Sequence, residues 1–328
     1  MVVRRVAVTF PVGASDREAM DRALGGAVQV DVLADLSDAE RLDALRAAEA
    51  LLLWNWAREL RGPEEREAIA SVRFIQLISA GADHIPFDEV PPGAVLASNV
   101  GAYAEPMAEH VLAMVLSLAK KLPQNHAAMA RGEWNQFALN RSVKGLRAAI
   151  LGFGGIGKAV ARLLRSLGVE ILAVNTSGVT GEAVAFVGTL ADLDHVLSEA
   201  DVIVVALPLN HATRGLIGRE QFDRMKPDAI LVNVARGAIL DEAAFFDHLQ
   251  RHPEFQAGID AWWHEPLGAG EFRLDHPFFD LPNVLGSPHN SGLVPGILQT
   301  AAEKALANVR RYLDGEDPRG IIDPADYA

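Results

Sequence analysis

The sequence has no cysteine among its 328 residues. Disulfides, thiolate metal sites and thiol nucleophiles are therefore excluded, and the composition suits a reducing, cytoplasmic setting. Basic residues are the scarcer charge, with 30 Lys and Arg against 43 Asp and Glu and a formal net charge of −13. Non-specific nucleic-acid binding needs a basic face, so no nucleic-acid partner is expected. Anions can still be held locally, by backbone N–H groups and single arginines. Aromatic residues make up only 6%, so the core allowed by a 50% hydrophobic composition is mostly aliphatic. No apolar run reaches the roughly 18 residues of a membrane span, and no membrane partner is expected. The short run after Arg4 and Arg5 stops at Pro11 and reads as a first strand over residues 2–10, not as a signal peptide.

What is present is alternation. Strand-like runs at 2–10, 28–33, 51–54, 74–78 and 94–99 are separated by helix-like segments at 16–24, 38–50 and 63–70. That alternation predicts an α/β domain with a parallel sheet. An apolar helix over 107–122 follows, apolar on most sides and so expected to bridge domains or join a subunit interface. Residues 125–140, with Trp134 and Phe137 among polar neighbours, read as an arm over a partner or as a surface loop.

The second half is organised around Gly152-Phe153-Gly154-Gly155-Ile156-Gly157. The motif follows the apolar run 148–151 and opens a helix over 158–167, the strand–turn–helix context in which G-x-G-x-x-G means dinucleotide binding. The first glycine permits the turn, the second lets backbone approach a pyrophosphate, and the third lets helix pack on strand. The helix N-terminus supplies N–H groups to the phosphates. Further strands at 170–174, 202–207, 229–234, 256–260 and 283–285, with helices at 190–199, 219–224 and 242–250, complete a doubly wound sheet. A last helix at 296–313 is too little for a third domain and is expected to return to the first. The predicted division is therefore 1–100 plus 293–328 as substrate domain and 101–292 as dinucleotide-binding domain.

Ligands of such sheets bind beyond the carboxyl ends of the strands. Three late strands end in Arg236, in His264-Glu265-Pro266 and in His289. Singly, each has an ordinary reading: Arg236 as a helix cap or a partner of Asp241, Glu265 as a loop residue, His289 as a structural histidine. Together, at one edge beside a nucleotide motif, they suit hydride addition to a 2-oxo acid. The alkoxide needs a proton donor that titrates near neutrality, which points to His289, with His264 as a weaker rival. Glu265 would fix the imidazole tautomer. The fork of Arg236 matches a substrate carboxylate, and backbone N–H groups at Ala80, Gly81 and Ala82 could hold it too. Trp54 and Trp56 are candidates for pocket walls, and the Trp262-Trp263 pair reads chiefly as packing.

At this point the chain resembles the D-isomer-specific 2-hydroxyacid dehydrogenases, including the glyoxylate/hydroxypyruvate reductase-like members. The resemblance rests on Ser79-Ala80-Gly81-Ala82-Asp83-His84, Ala108-Glu109-His110, the glycine fingerprint, Met225-Lys226-Pro227, Asn233-Val234-Ala235-Arg236-Gly237, Asp260 through Glu265-Pro266, Asp275-His276-Pro277, and Leu281-Pro282-Asn283-Val284 through Pro288-His289. It implies a flavodoxin-like substrate domain and a Rossmann cofactor domain, with a cleft between them that closes on substrate. It implies Arg236 as substrate binder, Glu265 as the residue tuning histidine, and His289 as acid/base. Around the cofactor it implies Gly152, Gly154, Gly155, Ile156 and Gly157 at the pyrophosphate, and Leu207, Pro208 and Thr213 in the covering loop. It also implies Val234, Ala235, Arg236, Asp260, His289 and Gly292 near the nicotinamide. Ala80, Gly81 and Trp54 join Arg236 and His289 as substrate contacts. No metal is implied, and the assembly implied is a homodimer built through the cofactor domain.

One departure concerns the adenosine end. Asn175 stands where NAD-selective members usually carry an acidic residue, followed by Thr176 and Ser177. Loss of that carboxylate removes repulsion of the NADP phosphate, while the arginine frequent in NADP-preferring members is missing. The balance leans to NADP(H), with NAD(H) close behind. The formate-oxidising branch is disfavoured by Glu265, where it carries glutamine. The expected activity is reduction of a small 2-oxo acid, glyoxylate or hydroxypyruvate first. The alternatives are a dehydrogenase of a larger 2-hydroxy acid such as a sugar acid, and a nicotinamide-nucleotide-sensing binding protein of the same fold.

Overall fold

In the computed structural model, residues 4–26, 28–266 and 270–327 are described; Val2 and Val3, the expected start of the first strand, lie outside them. By internal contacts the chain forms two compact units, Met1–Tyr103 with Val294–Ala328, and Ala104–Leu293.

The first unit runs β1 (Arg4–Val8), α1 (Ala14–Leu24), β2 (Val28–Val32), α2 (Asp38–Ala47), β3 (Ala50–Leu53), α3 (Trp56–Glu59), α4 (Gly62–Ala68), β4 (Phe74–Leu77) and β5 (Val95–Ala97). Its five strands are all parallel, in the order β2-β1-β3-β4-β5, the flavodoxin-type order. Alternate residues serve opposite faces, as strand geometry requires. Val6, Val8, Ala50, Leu52 and Phe74 pack on one side, and Ala7, Leu51, Leu53, Ile75 and Leu77 on the other. The C-terminal helix Ile297–Leu313 adds Ala301, Ala305, Leu306 and Val309 to the first face.

Buried amides fix that return. Asn99 Nδ2 donates to Ala301 O at 2.8 Å, and Asn308 Nδ2 donates to Gln76 Oε1 at 2.6 Å and to Arg319 O at 2.8 Å. Gln76 sits fully buried in β4, tolerable in an apolar strand because its polar atoms are paired.

The second unit runs α5 (Ala104–Ala119), α6 (Leu122–Ala130), β6 (Arg147–Leu151), α7 (Gly155–Ser166), β7 (Glu170–Val174), β8 (Phe186–Gly188), α8 (Leu193–Glu199), β9 (Val202–Val205), α9 (Arg219–Arg224), β10 (Ile230–Asn233), α10 (Glu242–Arg251), β11 (Gln256–Ile259) and β12 (Val284–Gly286). Seven parallel strands lie in the order β12-β11-β10-β9-β6-β7-β8, a Rossmann order extended by one strand. The order reverses between β6 and β9. The central strands β9, β10 and β11 are buried throughout, as a parallel sheet covered on both faces demands.

Three expectations change. The apolar helix does not run to residue 122: it ends at Ala119, Lys121 takes a left-handed φ of 49°, and α6 starts again with Pro123 in its first turn. Proline is suited to a first turn and unsuited to a helix interior. Part of the expected arm is therefore helix, and only residues beyond Ala130 are extended or turn. The helix after the fingerprint begins at Gly155, not at 158, so the last two glycines lie inside its first turn. The strand β8 was not expected at all, since three residues at a sheet edge carry too little pattern to read.

Candidate active site

The turn after β6 separates the roles of its glycines by sterics. Gly152 has a φ of 96°, and a Cβ there would meet Ala206 O at 2.4 Å, at the end of β9. Gly157 is closed too: its Cβ would meet Gly152 O at 2.2 Å. Side chains at both positions are forbidden by backbone, which cannot yield. Gly154 caps α7, and a Cβ there meets nothing within 4 Å. The space over Gly154 is open at the point where the first-turn N–H groups of Gly155, Ile156 and Gly157 have no intrahelical acceptor. That combination fits a pyrophosphate, drawn by N–H donors and by the positive end of the helix.

At the end of β7, Asn175 is tied into its own loop. Its Oδ1 accepts from Ser177 N and Gly178 N at 3.1 and 2.7 Å, and its Nδ2 donates to Val179 O at 2.9 Å. The Asn175 amide thus shapes the turn, and Thr176 and Ser177 are left exposed. After β9, Leu207 and Pro208 lead into a loop stapled by Thr213. This buried hydroxyl donates to Pro208 O at 2.6 Å and accepts from Asn210 N at 2.9 Å.

After β10, Asn233 turns the chain. Its Oδ1 accepts from Ala235 N, its Nδ2 donates to Arg236 O, and Val234 lies between. Arg236 Nη1 donates to Ala235 O at 2.8 Å. Gly237 follows because a Cβ there would meet the Trp262 carbonyl carbon at 2.4 Å.

The neighbouring strands deliver a histidine–carboxylate pair. Beyond β11, Glu265 Oε1 accepts from Trp262 N at 2.7 Å. Its Oε2 meets Nδ1 of His289, beyond β12, at 2.6 Å. Since that bond occupies Nδ1, the nitrogen turned to a substrate is Nε2. His264 instead pairs with Asp275 Oδ2 at 3.0 Å, which removes it from the pair. Trp262 and Trp263 donate their indole N–H groups to Ser287 O and Leu240 O, so both rings brace the edge as packing elements.

Asp260 is fully buried. Its carboxylate accepts from Ser287 Oγ at 2.5 Å, and from Asn290 N and Ser291 N at 3.2 Å. Burial pushes its carboxyl up, but the bonds from Ser287 and Ser291 and the neighbouring His110 outweigh this and hold it below the usual carboxylate range. Gly292 follows in the same loop. Asn233, Ser287 and His110 were given no role from sequence; the signals were their place in the motifs of the resemblance and their polarity at the end of, or inside, an otherwise apolar element.

In the first unit, Trp54 follows β3. Its backbone N donates to Glu59 Oε2 at 2.9 Å, and Phe10 stands edge-on to its ring at 6.4 Å. Ala80 and Gly81 follow the adjacent strand β4, where Ser79 Oγ donates to Gly81 O at 2.8 Å. Trp56 is no pocket wall: it is 1% exposed and donates to Glu89 Oε2 from the core. Trp54, at 39%, is open. Among the described residues no helix is long and apolar enough to cross a membrane.

Residues 112–291 match the family model for the D-isomer specific 2-hydroxyacid dehydrogenase NAD binding domain. A glyoxylate/hydroxypyruvate reductase B of Pectobacterium carotovorum is 33% identical over 260 residues, covering 77% of this chain and 79% of that protein. A D-3-phosphoglycerate dehydrogenase of Archaeoglobus fulgidus is 30% identical over 288 residues, and the match spans 87% of this chain but only 53% of that longer protein. Among solved structures, a D-isomer specific 2-hydroxyacid dehydrogenase of Xanthobacter autotrophicus, in complex with NADPH and MES, superposes with a TM-score of 0.79 at 25% identity, over 99% of each chain. Fingerprint, strand-end residues and relatives agree: the chain belongs to the D-isomer specific 2-hydroxyacid dehydrogenase family.

Proposed function

We propose that this oxidoreductase reduces a small 2-oxo acid to the D-2-hydroxy acid, with glyoxylate and hydroxypyruvate as first substrates. The observation that carries the reading is the 2.6 Å bond from Nδ1 of His289 to Glu265, at the ends of the two strands next to the one that Arg236 follows. A reduced nicotinamide supplies the hydride to the carbonyl carbon. Arg236 holds the substrate carboxylate through its planar fork. His289 Nε2–H gives its proton to the carbonyl oxygen as that oxygen becomes an alkoxide, and Glu265 stays bonded to the imidazole and fixes its orientation. The substrate contacts assigned to Ala80, Gly81 and Trp54 belong to this proposal, as does the role of the first unit as substrate domain.

For the cofactor we favour NADP(H) over NAD(H). In support, no carboxylate stands in the 175–180 turn to repel a ribose phosphate, and Thr176 and Ser177 are exposed residues, the Ser177 hydroxyl bonded within the turn. The commitment of the Asn175 amide to its own loop narrows the margin. The assembly proposed is a homodimer built through the second unit. Its support is the segment beyond α6, where Trp134, Phe137 and Leu139 are 74%, 90% and 89% exposed; apolar side chains grouped this way mark an interaction surface. Light scattering should give twice the chain mass, and Trp134→Ser with Phe137→Ser should halve it.

The test of function is loss of reduced-nicotinamide absorbance with NADPH and NADH in parallel, each against glyoxylate, hydroxypyruvate and pyruvate. Turnover, faster with NADPH, is expected. Tight cofactor binding without turnover would favour the sensor reading, and no cofactor binding would overturn the proposal.

A further inference from the structure

The acid/base histidine stands in a conformation its own residue type does not favour. His289 has a φ of 51°, in the left-handed region that non-glycine residues seldom adopt. Something has to hold it there. Three bonds from consecutive residues do so, and all end on Asp260. His289 N donates to Asp260 O at 2.9 Å, Asn290 N to Oδ1 at 3.2 Å, and Ser291 N to Oδ2 at 3.2 Å. The carbonyl of Asp260 holds His289 N and its carboxylate holds the two residues that follow, so what fixes the Asp260 side chain fixes the loop that carries His289.

Ser287 Oγ lies 2.5 Å from Asp260 Oδ1. A serine hydroxyl has one proton, and an ionised carboxylate can only accept, so the proton points at Asp260. The hydroxyl oxygen must then accept from its other neighbour, His110 Nε2, at 3.0 Å. His110 Nε2 is also 3.8 Å from Asp260 Oδ1. His110 rides on α5, whose residues Met107, Ala108, Val111 and Met114 are buried and which packs along α7. The helix is a fixed platform for the ring. The Ala108-Glu109-His110 motif of the sequence otherwise has no part in the chemistry.

We propose that His110 is a positioning residue for His289, acting through Ser287 and Asp260. It donates to Ser287, aims the serine proton at Asp260, and so holds the carboxylate that receives the backbone N–H groups of Asn290 and Ser291, next to His289. His110 does not touch the reacting atoms. The inference rests on the proposed reductase reading for its kinetic consequence, but the geometry can be read without turnover.

The experiment uses the full chain with His110→Ala and His110→Gln. In hydroxypyruvate reduction, His110→Ala should lower kcat ~10-fold or more while KM for NADPH stays within ~2-fold, as expected for a misplaced acid with an intact cofactor turn. His110→Gln, whose amide can donate to Ser287, should keep kcat within ~3-fold of wild type. The second readout is the downfield proton resonance of the His289–Glu265 bond, assigned by its loss in His289→Gln. It should shift or broaden in His110→Ala and return in His110→Gln.

Wild-type kcat and resonance in His110→Ala would overturn the proposal, as would equal damage in both variants. If wild type reduces none of the 2-oxo acids, the functional reading has failed, and the resonance alone decides the positioning role. If His110→Ala does not fold, Ser287→Ala leaves α5 unaltered and should show the same kcat loss and resonance change. A wild-type result in Ser287→Ala would refute the relay.

Discussion

The carboxyl edges of the two sheets are built differently. Beyond the seven-stranded sheet, polar side chains from neighbouring strand ends bond to one another, His289 to Glu265 and Ser287 to Asp260, while Asn233 bonds the backbone of Ala235 and Arg236. Beyond the five-stranded sheet, the open elements are a tryptophan and a small-residue turn, and the carboxylate there, Glu59, is spent on Thr9 and on the backbone of Trp54 and Asn55. The lesson is that proton transfer needs side chains fixed by side chains, since tautomer and aim both matter. Under the proposed function, recognition of a small acid at the first sheet would fall to backbone N–H groups and a shaping ring.

The sharpest test of that contrast is His289→Gln. It should lower kcat by ~10³-fold, within the range for a lost acid/base group, and leave NADPH affinity unchanged. A turnover number near wild type would end the acid/base assignment. Next come the glycines of the same edge. Gly157→Ala drives a Cβ into Gly152 O and should cost at least ~2 kcal/mol of stability, as overpacking against backbone does. Gly154→Ala meets open space and should cost no more than ~1 kcal/mol, yet weaken cofactor binding. Chemical denaturation beside a cofactor titration separates the two, and equal stability losses would contradict the division of roles.

At the other edge, Trp54→Ala should raise KM for the 2-oxo acid ~10-fold with kcat little altered, since a shaping ring contributes binding more than chemistry. A kcat loss as large as that of His289→Gln would erase the contrast between the edges.

The smallest effect lies away from both edges. His248, 1% exposed on α10, stacks against Phe222 and stands edge-on to Phe255, and neither ring nitrogen has a hydrogen-bond partner among the described residues. Burial, with the charges of His252 and Arg251, pushes it down to about 4. The unfolded chain takes up this proton first, near its ordinary value of 6.5. The stability linked to His248 is therefore complete above that pH and is lost as pH falls toward 4. Melting temperatures at pH 7.5 and 5 should differ less in His248→Phe than in wild type, with turnover at neutral pH unchanged. An identical pH slope in both would show that other groups govern it.

The sequence by itself determined the fold class and the place of the glycine turn, and it singled out Arg236, Glu265 and His289 as the residues on which the proposed reaction rests. Each of these follows from local pattern: alternation of apolar runs, glycine spacing beside a strand, and polar residues that end buried strands. Tertiary structure alone decided which polar groups meet. Local pattern ranks His289 above His264, but only the fold gives each its partner: His264 pairs with Asp275 and His289 with Glu265. Trp54 and Trp56 are two residues apart, yet one is open and the other core, because the helix between Trp56 and Glu59 turns the second inward. The hydrogen-bond network at Asp260 joins residues from α5, β11 and the loop after β12. Such partners are set by sheet order, which brings distant strand ends side by side, and no window of sequence contains that order.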